Sequence, residues 1–308
     1  MTKIERVLAA IRGDKVDRPP FSFWYHFGLQ HRPGKVHAEA EIDFYRFYQP
    51  DFLKVMSDYP YPLPDGLQVV TTEDWKRVEP VPATHQCWVE QLNALSALSD
   101  TLSQEALFIE TIFSPWTTVR RMARAGGLKQ AMQQCPEDLL SALNAIALSL
   151  GEYARAAVAR GAAGIFFSLG AATADVMSAE EYRKWGRPFD LKVLEAVAHA
   201  TFNVVHVHGE RIHFEEAADL PGHAFNWSHT LTPPSLSEGK KRTGRTVMGG
   251  VNETTASRVS APEVTAQVEA CMKEAGTTGV MVTPGCSVPT DTPVRNLMAI
   301  GEAVLAAG

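Results

Sequence analysis

The chain has no long apolar run. No window approaches the roughly 18 uninterrupted apolar residues of a membrane-spanning helix. The first residues, Met1-Thr2-Lys3-Ile4-Glu5-Arg6, carry no apolar core of a secretory signal. Basic charge is not in excess: 29 Lys and Arg stand against 35 Asp and Glu, and the net charge of -6 argues against nucleic-acid binding. Cysteine is scarce. Cys87, Cys135, Cys271 and Cys286 are spaced too widely and irregularly for a disulfide framework, so a reducing cytoplasm is expected. Repeats, low-complexity tracts and linkers are missing too, which leaves one domain over residues 1–308. What is present is a hydrophobic fraction of 45% in 308 residues, enough for the core of one large α/β domain.

The order of apolar runs sets the expected architecture. An amphipathic helix is predicted over Ile4 to Ile11, and a first strand over Phe21 to Phe23. Further strands are predicted at Phe52 to Met56, Leu107 to Ile112 and Gly164 to Ser168, then around His206 and His208. The last three fall at Ala224 to Trp227, Thr246 to Gly249 and Gly279 to Thr283. Helical patterns separate nearly all of them: Glu39 to Phe47, a helix through Arg124 after the turn Phe113-Ser114-Pro115-Trp116, Glu137 to Arg160, Ala179 to Ala200 with a break at Gly186-Arg187-Pro188, Ile212 to Ala218, Ser235 to Lys241, Pro262 to Ala275, and a last helix from Pro293. The proline-rich stretch Pro60 to Pro82 reads as an irregular insertion. About eight strands alternating with helices predict a parallel sheet and, at this length, a single (β/α)8 TIM-type barrel.

Such a barrel carries its chemistry at the C-terminal ends of its strands. Asn203-Val204-Val205-His206-Val207-His208-Gly209 is the most informative stretch. Side chains alternate along a strand, so His206 and His208 share a face, about 6.6 Å apart along the chain. Two imidazoles there make half a metal site, and Cys286, in the Pro/Gly turn after another strand, is the candidate for the rest. The bland alternative is a pair of polar residues on a solvated strand and an inert buried thiol. Asp58 is either a turn former before Tyr59-Pro60 or a pocket acid for proton transfer. Trp24, His26 and Trp116 stand at strand ends as candidate pocket residues, although the Trp24-Tyr25-His26-Phe27 run is equally consistent with packing. Packing is preferred for Trp227, and pocket contact is the open alternative for His229. Glu210 is a candidate partner to a ligand histidine, and Asp175 and Glu110 are weaker pocket candidates. Lys240-Lys241-Arg242 reads as a solvated helix end. His-x-His also marks metal-dependent amidohydrolases, but there it sits on the first strand, and here it lies two-thirds along the chain.

Several motifs, in order, resemble the uroporphyrinogen decarboxylase superfamily over nearly the whole chain. They are Arg12-Gly13-Asp14-Lys15-Val16-Asp17-Arg18-Pro19-Pro20, Val55-Met56-Ser57-Asp58, Phe113-Ser114-Pro115-Trp116-Thr117, Asn226-Trp227-Ser228 with Met248-Gly249-Gly250-Val251-Asn252, and Gly285-Cys286-Ser287-Val288-Pro289-Thr290-Asp291-Thr292-Pro293. The arginine-rich loop of true decarboxylases is replaced by Trp24 to Arg32, and Cys286 stands where they have His. Both departures point to the zinc-dependent methyltransferase branch, which holds zinc through His-x-Cys and the cysteine of the terminal motif. This chain matches at His206 and Cys286 and has His208 where the branch has Cys.

The resemblance implies a Zn2+ site of His206, His208 and Cys286, with a fourth position for substrate. It implies methyl transfer between a small molecule and a corrinoid protein, a pterin or a thiol, and it is the sole hint of a homodimer. Two alternatives stay open: a metal-free decarboxylase or lyase using Asp58, and a barrel that binds a tetrapyrrole or corrinoid without turnover.

Overall fold

β-branched and aromatic runs form the strands, and every second residue turns inward. The computed structural model describes residues 1–68 and 70–308. It has β1 (Phe52–Val55), β2 (Leu107–Phe113), β3 (Gly164–Leu169), β4 (Val204–Val207), β5 (Ala224–Trp227), β6 (Thr246–Val251) and β7 (Val280–Pro284). They pair in parallel in that order, as one curled, TIM-like sheet with helices around it.

The strands have two apolar faces with different neighbours. Leu53, Phe108, Phe167, Val205, Phe225, Val247 and Val282 face the surrounding helices. Phe52, Ile109, Phe166, Val204, Ala224, Met248 and Met281, one from each strand, pack together inside. The interior layer is plugged from below by Val7, Ala9 and Ala10 of the helix Lys3–Arg12. That helix begins at a Thr2–Glu5 capping box and ends at Gly13 with φ 71°, a left-handed stop. The Thr246 hydroxyl ties it to the sheet by donating to the Ala10 carbonyl at 2.6 Å. Two residues further along each strand, the interior positions are Lys54, Thr111, Ser168, His206, Asn226, Gly250 and Thr283. The barrel therefore changes from apolar to polar within one step of the pleat.

The expected eighth strand needs correction. Residues 20–22 do lie between β7 and β1: Val282 N–H donates to Pro20, Ser22 N–H to Val282, and Asp51 N–H to Phe21. Only Phe21 forms a bridge, however, and Pro19-Pro20 supplies no N–H to extend the ladder. Among the described residues, seven strands and the Phe21–Val282 bridge stand where eight strands were predicted.

Two helices were not anticipated, Gln86–Leu102 and Gly127–Gln134. The first has a legible period in Trp88, Leu92, Leu95 and Leu102, all buried. The break foreseen at Gly186 is real: helix Ala179–Trp185 ends there and Arg187–Ala196 begins, with Pro188 in its first turn. The stretch 60–82 holds one short 3-10 turn, Trp75–Arg77, and its residue 69 lies outside the described residues. Among the described residues, no helix is long and apolar enough to cross a membrane.

One buried carboxylate pins the N-terminal segment to β1. Asp51 is fully buried and accepts from Arg6 Nη1 at 2.7 Å, from Arg18 Nη1 at 2.6 Å and from the Phe21 N–H at 2.9 Å. Removing it takes from Arg18 its carboxylate partner and leaves one arm of the Arg6 guanidinium unpaired, although Arg6 keeps Asp17. We expect Asp51→Ala to lower the unfolding free energy by about 3–5 kcal/mol in urea denaturation; a loss below about 1 kcal/mol would mean the network holds nothing in place.

Candidate metal centre

His206 is the last inward residue of β4 and is buried; His208 follows the strand and stands exposed at the cavity mouth. Their ring centroids are 6.1 Å apart. Cys286 follows β7 and comes across the barrel end to them, its Sγ 3.6 Å from His208 Nδ1. One donor atom from each of the three lies within 4.8 Å of the others. Gly285 makes this turn feasible, because a Cβ there would come within 2.5 Å of the Ser228 backbone.

Second partners fix the roles of the ring nitrogens. Parallel pairing puts Asn226 of β5 beside His206. The Asn226 amide nitrogen donates to the carbonyls of Met248 at 3.0 Å and Pro284 at 3.2 Å, so its oxygen is turned to His206 Nδ1 at 2.6 Å. His206 thus donates from Nδ1 to Asn226, which leaves Nε2 as the nitrogen that can meet the Cys286 thiol or a metal. Burial of the Cys286 thiol works against its ionisation, yet the hydrogen bond and charge of His206, with the Ser287 N–H, hold it below its ordinary pKa. His208 is also shifted down, first by desolvation and then by Arg120, which favours the neutral ligand form. Two imidazoles and an acidified thiol, with the first ring oriented from behind, fit a zinc ion.

The three residues line a cavity of about 200 Å3. Trp24 and His26 line it as well; Trp24 is buried with its edge on Phe166. Asp58 does not reach the lining but is tied to it through His26 Nδ1 at 2.5 Å; burial works against its ionisation, and His26, Lys54 and the Gly28 N–H together hold its pKa below the ordinary value. Trp116 and His229 lie elsewhere. Trp116 packs in the outer core behind the sheet. His229 packs against Trp227, and burial pushes its pKa down to about 4. Glu210 gives only its backbone N–H to Asp175, so Asn226 takes the partner role considered for it. Glu110 is buried between Tyr153 and Gln91, at 2.6 and 3.0 Å, with its pKa raised to about 7 by desolvation. Asp175 is bound to Arg211.

Some lining residues were not anticipated. Arg120 and Arg121 line the cavity, although the chain has Trp24 to Arg32 in place of the arginine-rich loop of true decarboxylases. Lys54 projects into it from β1, 4% exposed, with Phe166 and Trp24 ring centroids at 4.9 and 5.6 Å. Glu253 is buried behind Gly285 with one carboxylate oxygen unpartnered, adding negative charge near Cys286 and His208. A neighbouring cavity of about 190 Å3 shares Thr111, Phe113 and Arg121 with the first and is walled by Tyr61, Trp88 and Leu150. Only the lysine had a visible signal, a charge inside the apolar run Phe52 to Met56.

Residues 64–306 match the family model described as uroporphyrinogen decarboxylase (URO-D). The chain belongs to this family. No curated protein matches it. Among solved structures, it resembles a methyltransferase from Methanosarcina mazei at 17% identity and TM-score 0.77, over 100% of this chain and 99% of that one. A putative vitamin-B12-independent methionine synthase from Listeria monocytogenes follows at 10% identity and TM-score 0.62, over 94% and 96%. A B12-independent methionine synthase from Shewanella sp. W3-18-1, in complex with selenomethionine, is similar at 16% identity and TM-score 0.51, over 70% and 66%. At these identities the likeness is one of fold. As a URO-D family member with these neighbours, the chain falls within an enzyme superfamily.

Two outcomes are expected at this site. Asn226→Ala should weaken zinc binding by about 10–100-fold in chelator competition, because His206 loses its orienting partner; unchanged affinity would remove Asn226 from the centre. Lys54 has its pKa lowered from 10.5 to about 8, mainly by desolvation. The folded chain therefore sheds this proton before the unfolded chain does, and the burden on stability is complete below pH 8 and fades towards 10.5. Zinc-free Lys54→Met should be more stable than wild type by about 3 kcal/mol at pH 7, the gap closing as pH rises. A gap of fixed size across that range would mean that Lys54 is not buried as a cation.

Proposed function

We propose that the chain is a zinc-dependent methyltransferase that moves a methyl group between a small substrate and a corrinoid, pterin or thiol acceptor. The observation that carries this is the convergence of His206, His208 and Cys286 donors within 4.8 Å, at the polar end of the barrel and on the wall of a cavity. The methyltransferase and methionine synthase names of its structural neighbours support the same reaction class.

Bound zinc would lower the pKa of a thiol or hydroxyl at neutral pH and so ready it as a nucleophile. The chain's own residues supply the rest. Asn226 holds His206 in one tautomer. Trp24 and Phe166 close the barrel side of the cavity and keep water from it. The transfer makes one bond from acceptor to methyl carbon and breaks one to the donor atom, which keeps the electron pair. The acceptor's proton goes to solvent through the exposed side, where His208 and His26 stand.

A metal-free carboxy-lyase centred on Asp58 is less well supported. It is His26 that lines the cavity, and Asp58 is engaged with it. The partner is taken to be a soluble carrier of the methyl group, such as a corrinoid protein.

Elemental analysis of the purified protein tests this reading. About one zinc per chain is expected, with His208→Ala and Cys286→Ala retaining less than about a tenth of it. Transfer from methylated corrinoid or pterin donors to thiols should then follow zinc content. Wild-type protein that takes up no zinc under replete conditions would overturn the proposal and return attention to Asp58.

A further inference from the structure

The cavity beside the metal ligands has an unusual floor. Lys54 is 4% exposed and brings an ammonium group with three donors into the barrel. Its hydrogen-bond contact is the Met56 sulfur at 3.2 Å, a weak acceptor, and its other near neighbours are the faces of Phe166 and Trp24. Cys286, Glu41, Asp58 and Glu110 act on it as charges from a distance. Around it the lining is basic, with Arg120, Arg121 and His26, and no aspartate or glutamate belongs to the described lining. A buried cation without an oxygen partner is costly to keep unless something completes its hydrogen bonds.

We propose that Lys54 is the anchor for a carboxylate of the small molecule that reacts at this centre, which makes the substrate an anionic one. The carboxylate would replace the water and oxygen contacts the ammonium lost on burial, and the ring walls strengthen the pair by keeping solvent out. The amine stands two residues above the apolar layer, on the strand two places from β3, whose Phe166 separates it from His206. A molecule seated on Lys54 therefore shares the cavity with the metal ligands and presents its other end to them. The inference rests on this cavity being the substrate site, and its test is built to fail separately from the zinc reading.

The experiment is isothermal titration of zinc-loaded and zinc-free protein, wild type and Lys54→Met, with three probes: 3-mercaptopropionate, 2-mercaptoethanol and butyrate. Zinc-loaded wild type should bind 3-mercaptopropionate at least about tenfold tighter than 2-mercaptoethanol. Lys54→Met should erase that preference while keeping its zinc and its affinity for 2-mercaptoethanol. Butyrate, which has no thiol, should bind wild type and not Lys54→Met even without zinc, so the anchor can stand if the metal reading falls. Equal binding of the two thiols by wild type would overturn the proposal without any variant. So would a carboxylate preference that survives in Lys54→Met, which would move the anchor to Arg120 or Arg121. Loss of zinc from Lys54→Met, with both thiols weakened alike, would make Lys54 a charge partner of the ligands and likewise overturn it.

Discussion

The pleat of parallel strands governs this molecule. Each of the seven strands puts one residue into an inner apolar layer, and its next inward residue into a layer that is almost wholly polar. The step between them is two residues, so the distance from hydrophobic core to chemistry is only about 6.6 Å. Such polar residues are tolerable only because the apolar layer beneath and the Lys3–Arg12 plug keep the rest of the barrel dry and packed. The same register sets Asn226 next to His206, which turns a buried polar pair into an oriented ligand.

That polar layer is electrostatically unbalanced towards the positive. A thiol is held below its ordinary pKa by His206, and the His208 pKa is lowered by desolvation at the cavity mouth and by Arg120. Lys54 remains a desolvated amine at about 8 while the nearby carboxylate of Glu110 is pushed up to about 7. Charges that would neutralise one another in contact are instead kept apart by ring faces and by the Gln91–Tyr153 cradle. Structures store such conflict where a ligand is to resolve it. Asp51 is the contrasting case, a buried carboxylate satisfied by two arginines and a backbone N–H.

Much of the architecture was legible. Alternation of apolar runs and helical periods placed all seven strands and most helices, because both periods are local properties of the chain. The misses also have local causes. Pro19-Pro20 limits residues 20–22 to a bridge, and the buried stripe of Gln86–Leu102 is interleaved with polar residues that dilute it. At the site, spacing alone put His206 and His208 on one face, and the end of a second strand marked Cys286. Trp116 and His229 stand after strands exactly as pocket residues do, yet they turn towards the outer packing.

By itself, then, the sequence determined the alternating α/β order, the shared face of the two histidines and the family to which its motifs belong. Tertiary structure alone decided which face of each strand looks inward: in Phe52 to Met56 and Val204 to Val207 it is the faces carrying Lys54 and His206 that turn into the barrel. It decided that Lys54 enters the cavity, that Asn226 rather than Glu210 orients His206, and that Asp58 is joined to His26. The physical reason is that period-two alternation tells which residues travel together, whereas curvature of the sheet and pairing between strands far apart in the chain choose the side on which they meet.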